Sequence, residues 1–201
     1  MTLYEFDNNF RAQGFKNIAG IDEAGRGSLA GPVVAACVVL YEGFYTEMLK
    51  DSKELSSSLR EKVFEEIINN AFVGIGIVEP FVIDKINILE ATKVAMNEAF
   101  KNLRKEVDLI LIDAIQLPQI KVKQKAIPKA DRLSASVAAA SIVAKVIRDR
   151  IMLNYHKIYP HYGFDSHKGY LTRRHLMALR KYGPCPIHRK SFAPVRKISL
   201  F

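Results

Sequence analysis

Two short aliphatic runs that each end in a carboxylate constrain the fold of this chain more than any other feature. Residues 18–21 lead directly into Asp22 and Glu23, and residues 109–112 lead directly into Asp113. Continuous aliphatic runs of this length are typical of buried sheet strands. In open α/β sheets, ligands lie beyond the carboxyl ends of the strands. The pattern therefore predicts an α/β protein with these acids on one rim of its sheet.

The other apolar segments alternate between strand and helix periodicities. Residues 33–40 predict a central strand that forms an antiparallel hairpin with the first strand, and residues 120–127 predict an edge strand with three exposed lysines. We expect a single domain over residues 1–201, with a basic helical part from about residue 155 to residue 201. A further strand is predicted at residues 72–78, and the main helices are predicted at residues 57–70, 87–104, 131–159 and 172–182.

The turn after the first acid pair places Gly25 and Gly27 on either side of Arg26. Glycines let the backbone approach a ligand closely, and the arginine can present a charged fork to phosphate. An acid pair before a turn has a plainer explanation as a strand end, but the whole run favours a functional site. Because neighbouring strand side chains point to opposite faces, Asp22 and Glu23 can serve one site only if the strand ends or bulges there.

Four carboxylates are candidate metal ligands: Asp22, Glu23, Asp113 and Asp131. Two of them have plainer explanations, because Asp113 also suits a turn and the position of Asp131 suits the N-cap of the following helix. Oxygen donors without cysteine or paired histidine favour Mg²⁺ or Mn²⁺ over zinc. Two such cations about 3.5–4 Å apart can stabilise the attacking and leaving oxygens of a phosphoryl displacement. Beside a basic surface, that chemistry indicates a nuclease.

Several other reaction classes lack their motifs in this sequence. There is no Walker loop, no GxGxxG fingerprint and no GxSxG nucleophile turn. The five histidines lack HExxH-type spacing, and we expect most of them at the surface or facing phosphate rather than binding metal.

The charge of the chain is divided very unevenly along the sequence. Residues 1–120 hold 12 Lys and Arg against 18 Asp and Glu, a net charge of −6, whereas residues 121–201 hold 18 against 3, a net charge of +15. A half this basic predicts a polyanionic partner, and nucleic acid fits better than an anionic membrane. No apolar run approaches the roughly 20 residues of a membrane span, and Cys37 fits a buried thiol. We therefore expect a cytoplasmic protein without a membrane partner.

Taken together, several motifs resemble the ribonuclease HII family. The resemblance covers about residues 18–194 and is highly specific in combination. It is carried by Asp22-Glu23-Ala24-Gly25-Arg26-Gly27, Leu29-Ala30-Gly31-Pro32-Val33, Asp51-Ser52-Lys53, the run Ala-Ala-Ala-Ser-Ile-Val-Ala-Lys-Val at 138–146, His167-Lys168-Gly169-Tyr170 and Pro186-Ile187-His188-Arg189.

The resemblance implies a ribonuclease H-like fold, a five-stranded mixed β-sheet flanked by helices, with a C-terminal helical region. It also implies a monomeric endonuclease that cuts on the 5′ side of ribonucleotides in RNA·DNA hybrids and of single ribonucleotides in duplex DNA, leaving 3′-hydroxyl and 5′-phosphate ends. Two Mg²⁺ or Mn²⁺ ions would assist. The implied metal-site and catalytic residues are Asp22, Glu23, Asp113 and Asp131, and the implied substrate-binding residues are Gly25, Arg26, Gly27, Lys53 and Tyr170.

This chain departs from the family pattern at two small residues. Ala114 follows the third acid and Ala130 precedes the fourth, where glycine is expected in both cases. From the residues alone, Tyr170 fits a core-packed turn aromatic better than a substrate contact. Two other functions also stay open at this point: a non-catalytic nucleic-acid-binding protein, and a junction resolvase of the same fold.

Overall fold

A computed structural model describes residues 1–51 and 55–198 of the 201-residue chain. The described residues contain one mixed five-stranded sheet whose strands lie in the order β3-β2-β1-β4-β5. Its strands are β1 Ile18–Ala24, β2 Val33–Leu40, β3 Ala71–Val78, β4 Leu109–Asp113 and β5 Lys123–Ile127.

The pairing of the strands sends three carboxyl ends to the same rim. β1 pairs antiparallel with β2, which confirms the predicted hairpin, and β2 pairs antiparallel with β3. β1 and β4 run parallel, as do β4 and β5. The edge strand is shorter than predicted, because it begins at Lys123 rather than at residue 120. The ends of β1, β4 and β5 therefore open onto one side of the molecule.

Helices cover both faces of this sheet. α5 packs on one face with α2 beside it, whereas α3 and α4 cover the other face. The sheet and helix order confirms the fold that the resemblance implies. The helices are α1 Leu3–Arg11, α2 Ser57–Asn69, α3 Pro80–Ile86, α4 Ile88–Asn102, α5 Ala135–Ile158, α6 Phe164–His167, α7 Arg173–Tyr182 and α8 Ala193–Ile198.

The start of α5 differs from the sequence-based expectation. Ser134 is the N-cap, and its hydroxyl accepts the Val137 N–H at 3.3 Å. Asp131 lies in a separate 3₁₀ turn, Ala130–Arg132, so the prediction that Asp131 caps the long helix is wrong. The break has a backbone cause, because Ser134, between this turn and α5, adopts an extended conformation with φ −114° and ψ 131°.

α5 approaches the sheet unusually closely at Gly20 in β1. A Cβ atom at this position would lie 2.1 Å from the carbonyl carbon of Ser136. Only glycine leaves room for the helix backbone at that distance. The buried alanines of α5 continue this close contact along the helix. β1 is thereby fixed against the helix immediately before its acid pair.

α1 is joined to the same point of the fold by a buried carboxylate. Asp7 is 3% exposed and accepts both the backbone N–H of Ser136, at 2.9 Å, and its hydroxyl, at 2.7 Å. Burial raises the pKa of Asp7, and the hydrogen bonds to Ser134 and Ser136 oppose that shift. The N-terminal helix therefore secures the beginning of α5.

No helix within residues 1–51 and 55–198 has the length and apolar composition needed to cross a lipid bilayer. Both cysteines, Cys37 and Cys185, are buried free thiols, as predicted for Cys37. The assignment of residues 1–201 to a single domain stays a prediction.

The close approach at Gly20 makes a stability prediction. Gly20→Ala should lower the free energy of unfolding by about 3 kcal/mol, because the methyl group meets rigid backbone rather than a movable side chain. Urea denaturation measures the change. Gly27→Ala is the matched control, since a Cβ there meets no atom within 4 Å. Equal stability of the two variants would contradict the packing argument.

Candidate active site

Three segments of backbone carry Asp22, Asp113 and Asp131 to the same rim of the sheet. The parallel register between β1 and β4 ends with Ile21 opposite Ile112, so Asp22 and Asp113 follow at the same level. Asp131 lies in the 3₁₀ turn that comes after β5, the strand parallel to β4. The sheet topology therefore gathers residues that are far apart in the sequence.

A carboxylate hydrogen bond links the end of β4 to the turn that carries Asp131. The Oδ1 atom of Asp113 accepts the backbone N–H of Lys129 at 2.6 Å and that of Ala130 at 3.3 Å. These bonds use one oxygen of Asp113. The position of Asp131 relative to the sheet is therefore tied to the carboxylate at the end of β4.

Asp22 and Glu23 lie in regular strand rather than at a bulge. β1 keeps its register with β2 through Ala24, the residue at which the strand ends. The two side chains therefore leave opposite faces. Asp22 lies on the α5 side, where Ser141 hydrogen-bonds to it, and the backbone N–H of Glu23 donates to Asp22 Oδ1 at 2.8 Å. Because β1 ends one residue after Glu23, both side chains still lie at the same rim of the sheet.

Burial makes ionisation of the acid pair unfavourable. Asp22 is 6% exposed, and burial followed by the charge of Glu23 raises its pKa well above the usual range. Burial also raises the pKa of Glu23, with Asp113 adding to the shift and Arg26 opposing it. Within the described ranges, the buried Glu23 Oε2 atom has no hydrogen-bond partner. A cation near these oxygens would offset both costs.

The donor chemistry of this rim suits a hard cation. Across residues 1–51 and 55–198, no three His, Cys, Asp or Glu side chains converge into a preformed metal cage. Magnesium is usually bound by one or two carboxylates together with water and substrate phosphates rather than by an all-protein cage. An open rim of carboxylates fits that mode better than a closed structural zinc site.

The turn after the acid pair begins with a backbone conformation of positive φ. Gly25 has φ 96°, and a Cβ atom there would lie 2.0 Å from Nε of Arg148. Both features require glycine. Arg26 bends back so that its guanidinium contacts Glu23 Oε1 at 3.1 Å, with almost half of its side chain exposed.

Two buried arginines hold the loop between β1 and β2. Arg148 donates to the carbonyl oxygens of Pro32 and Ala30, each at 3.0 Å, and to the hydroxyl of Ser28 at 2.7 Å. Arg189 donates to the carbonyl oxygen of Arg26 at 2.9 Å and twice to that of Gly31. Sequence analysis assigned no role to either arginine, although Arg189 belongs to one of the motifs quoted above.

Both of these guanidinium groups remain positively charged at neutral pH. Burial lowers the pKa of Arg148, and burial together with the charge of Arg148 lowers the pKa of Arg189 to about 9. Arginine side chains stay protonated in proteins. The loop is therefore held by charge-assisted hydrogen bonds, which are stronger than neutral ones.

A groove of about 340 Å³ opens beside Glu23 and brings several predicted residues together. Gly25, Arg26 and Gly27 form one wall, and Tyr170 lies on the lining as well. Sequence analysis missed three further lining side chains, although the serine and the lysine lie in a motif quoted above. They are Arg60, Ser141 and Lys145.

Tyr170 is only partly buried, and its ring is flanked by cations. Lys145 Nζ lies 5.6 Å and Arg148 Cζ lies 5.2 Å from the ring centroid, both within cation–π range. The ring therefore lines the groove instead of lying within the core.

Two of the histidines contradict the expectation that most are at the surface or facing phosphate. His175 and His188 are 0% and 1% exposed, and His175 Nδ1 lies 3.0 Å from the carbonyl oxygen of Tyr170. His161 is exposed, as expected. Lys53, the remaining predicted substrate residue, lies outside the described residues.

The backbone at Ala114 explains why glycine is the expected residue after the third acid. Ala114 has φ 56°, in the left-handed region that favours glycine. This alanine keeps the turn in place, and its N–H donates to the carbonyl oxygen of Ile127 at 3.3 Å. Ala130, at the second departure, is fully buried.

Comparison with known proteins adds independent information. The sequence profile described as Ribonuclease HII matches residues 19–195. A ribonuclease HII from Geotalea daltonii is 51% identical over 197 residues, which cover 98% of this chain and 91% of that protein.

Solved structures have the same architecture. The ribonuclease H2 from Pyrococcus horikoshii OT3 superposes with a TM-score of 0.76 at 31% identity, over 92% of this chain and 98% of that one. Bst-RNase HIII, solved in complex with Mn²⁺, has a TM-score of 0.73 at 19% identity, over 92% and 69%. This last likeness concerns the fold alone.

The left-handed residue after Asp113 makes a second stability prediction. Ala114→Gly should raise the free energy of unfolding by about 0.5–1 kcal/mol, because relief of the left-handed strain exceeds the extra entropy of glycine in the unfolded chain. Chemical denaturation measures the difference. Ala126→Gly, within β5, should instead destabilise the protein. Destabilisation by Ala114→Gly would contradict this account.

Proposed function

This chain belongs to the ribonuclease HII family, and from that membership we propose that it cleaves the phosphodiester on the 5′ side of ribonucleotides, both single ones embedded in duplex DNA and those in RNA·DNA hybrids. Membership makes the chain a metal-dependent endonuclease of the ribonuclease H type. The observation that carries the finer proposal is the groove, where Gly25, Arg26, Gly27 and Tyr170 meet beside Glu23.

Recognition of the ribose follows from what the groove wall can offer. The 2′-hydroxyl both donates and accepts hydrogen bonds, and it is the group that distinguishes a ribonucleotide from a deoxyribonucleotide. At Gly27, a Cβ would meet no atom within 4 Å, so the backbone there is open to a ligand. We assign the Gly25–Arg26–Gly27 backbone to this hydroxyl and the Tyr170 ring to the adjacent sugar.

The four carboxylates would hold the divalent cations. Asp22, Glu23, Asp113 and Asp131 supply only oxygen donors, and the buried Oε2 of Glu23, which accepts no hydrogen bond within residues 1–51 and 55–198, supports this assignment. When bound, two Mg²⁺ or Mn²⁺ ions would activate the attacking water and stabilise the departing 3′-oxygen, leaving 3′-hydroxyl and 5′-phosphate ends. Bst-RNase HIII, a protein of the same fold, was solved with Mn²⁺.

The chain's own residues would orient the substrate around that rim. Arg26, Arg60 and Lys145 surround the groove with positive charge, which suits the phosphates on either side of the ribonucleotide. The Oδ1 atom of Asp113 accepts the N–H groups of Lys129 and Ala130, so this oxygen is directed at the backbone rather than at the substrate or a cation. The basic half of the sequence fits a duplex beyond the groove. A monomeric state, a cytoplasmic location and a substrate role for Lys53 remain predictions.

The first test removes one charge at the rim. Asp22→Asn should lower cleavage of a duplex with one ribonucleotide by at least about a thousandfold, because about 4 kcal/mol of transition-state stabilisation is lost. Cleavage is measured with and without Mg²⁺ or Mn²⁺, beside an all-DNA copy, and duplex binding should persist. The variant should be at least as stable as the parent, since one of two buried like charges is gone.

Asp108→Asn is the matched control, because this exposed carboxylate lies at the other end of β4 and accepts the N–H groups of Lys16 and Asn17. It should cleave normally. Normal cleavage by Asp22→Asn would overturn the metal-site assignment. Salt-dependent binding without metal-dependent products would indicate a non-catalytic binder, and cleavage of a DNA junction without regard to ribose would indicate a resolvase.

The second test concerns the tyrosine. Tyr170→Ala should lower kcat/KM on a single embedded ribonucleotide by about a hundredfold, a value typical of the loss of a positioning contact. Tyr170→Phe keeps the ring and should retain most activity. Loss of activity that is equal on single-ribonucleotide and hybrid substrates would show that the ring only supports the fold.

A further inference from the structure

A connected group of buried side chains is hydrogen-bonded to the backbone of the tyrosine of the groove. His175 and His188 contact each other through their Nε2 atoms, which are 3.0 Å apart. His175 Nδ1 lies 3.0 Å from the carbonyl oxygen of Tyr170, and His188 Nδ1 lies 3.0 Å from the backbone nitrogen of Cys185. We call this chain from Cys185 to Tyr170 the histidine relay. The proposed reaction does not use it directly.

The partners of the histidine relay fix the tautomer of both rings. A carbonyl oxygen only accepts, so His175 Nδ1 must donate to Tyr170. In a neutral ring, His175 Nε2 must then accept, and His188 Nε2 must donate to it. His188 Nδ1 is left as an acceptor. The Cys185 N–H, 3.0 Å away, is the donor that faces it, whereas the Cys185 carbonyl oxygen is farther, at 3.3 Å, and already accepts the backbone N–H of His188. Every bond in the relay therefore has one donor and one acceptor, and all of them run toward Tyr170.

The electrostatic surroundings agree with two neutral rings. Burial lowers the pKa of His175 to about 4 and, together with the neighbouring His175, lowers the pKa of His188 to about 3. A proton added to either ring would bring two N–H donors face to face at 3.0 Å. Both rings of the histidine relay are therefore neutral at physiological pH, and its hydrogen bonds keep a single donor-to-acceptor order.

A third histidine fixes the residue on the other side of Tyr170. His167 Nε2 lies 2.8 Å from the Tyr162 carbonyl oxygen and must donate to it, so His167 Nδ1 accepts the Gly169 N–H at 3.2 Å. The rings of His167 and His175 are stacked, with centroids 4.5 Å apart. The backbone on both sides of the Tyr170 Cα is thus held by histidine.

The same segments also hold the glycine-rich wall of the groove. Gly169 accepts the Leu29 N–H at 2.8 Å, and the Leu29 carbonyl accepts the Arg189 N–H at 2.8 Å. Ala30 forms a β-bridge with His188. The relay is therefore linked by backbone to the 25–31 loop as well as to Tyr170.

We propose that His175 and His188 are positioning residues that set the placement of Tyr170 against the Gly25–Gly27 wall, and with it the selectivity for an isolated ribonucleotide. The inference rests on the proposed role of Tyr170. An isolated ribonucleotide offers one register for the ring, whereas a hybrid offers a ribose at every step. A displaced ring therefore costs more on the first substrate than on the second.

Metal binding and thiol chemistry do not explain this cluster. In the described part of the chain, no group of three His, Cys, Asp or Glu side chains has metal-binding geometry. Cys185 Sγ lies 3.1 Å from His188 Nδ1, but burial raises the pKa of this thiol to about 11. A thiol that stays protonated is a poor nucleophile.

The first measurement is of the tautomers themselves. Nitrogen-15 NMR of the histidine rings in the full chain should show His175 protonated at Nδ1 and His188 protonated at Nε2, both neutral at pH 7. The opposite tautomer in either ring would overturn the relay. This result does not depend on any substrate, so it remains informative even if the proposed function fails.

The second measurement uses two amide substitutions of one histidine. His175→Asn keeps an N–H at the δ position toward Tyr170 and gives up the contact with His188, whereas His175→Gln does the reverse. The quantity measured is kcat/KM on a single-ribonucleotide duplex divided by kcat/KM on a hybrid. His175→Gln should lower this ratio about tenfold, the value of one hydrogen bond, and His175→Asn should keep it within about twofold. The control is His161→Gln, at an exposed histidine stacked on Tyr182.

The outcomes separate this inference from the function on which it rests. Equal ratios for both His175 variants, or a larger drop for His175→Asn, would show that the histidine relay only supports the folded core and does not position Tyr170. If either variant fails to fold, His188→Gln, which retains an ε-position donor, should keep the ratio, and a drop would overturn the proposal. Cleavage of the all-DNA copy by the unaltered chain would instead refute the proposed function. The tautomers of His175 and His188 would still be tested by the NMR measurement, which uses no substrate.

Discussion

The loop between β1 and β2 has backbone carbonyl groups that no strand or helix satisfies, and two guanidinium groups take that role. Arg148 comes from the middle of the longest described helix, and Arg189 comes from the segment after α7. Buried backbone acceptors without partners are costly, so the loop takes this shape only where both arginines are present. Gly25 must be glycine because the Arg148 side chain occupies the space of a Cβ. The wall of the groove is thus set by charges buried behind it.

The carboxylates on the other side of the same wall differ from these arginines, because their surroundings make the charged form unfavourable. Burial makes ionisation of both Asp22 and Glu23 costly, and the neighbouring charges add to it, that of Glu23 for Asp22 and that of Asp113 for Glu23. A chain selected for stability alone would not keep such a pair at the end of a buried strand. The arrangement is understandable if these oxygens serve a cation, since the repulsion that weakens the fold then becomes the source of affinity. Stability and activity therefore make opposing demands on the first strand.

Sequence reasoning succeeded where a local pattern had a single structural solution. The aliphatic runs before Asp22 and Asp113 predicted buried strands, and the topology then brought their ends to one rim. It failed where the partner is distant in the sequence. Asp131 looked like a helix cap because position alone favours that role, but the extended Ser134 separates its turn from α5. His175 and His188 were grouped with histidines expected mostly at the surface, because their partners are each other and backbone groups that no local pattern reveals. Arg148 gave no signal, since its acceptors at Ser28, Ala30 and Pro32 lie in a loop more than a hundred residues earlier.

The dependence of the groove on the 185–189 segment has a consequence for biosynthesis. All the strands of the described sheet are translated before this segment leaves the ribosome, so a nascent chain can build its sheet and bring its acids together early. The loop beside them stays without Arg189 until the segment emerges. An enzyme that cuts nucleic acid would thereby complete the wall of its groove only after its sheet and its acids are in place.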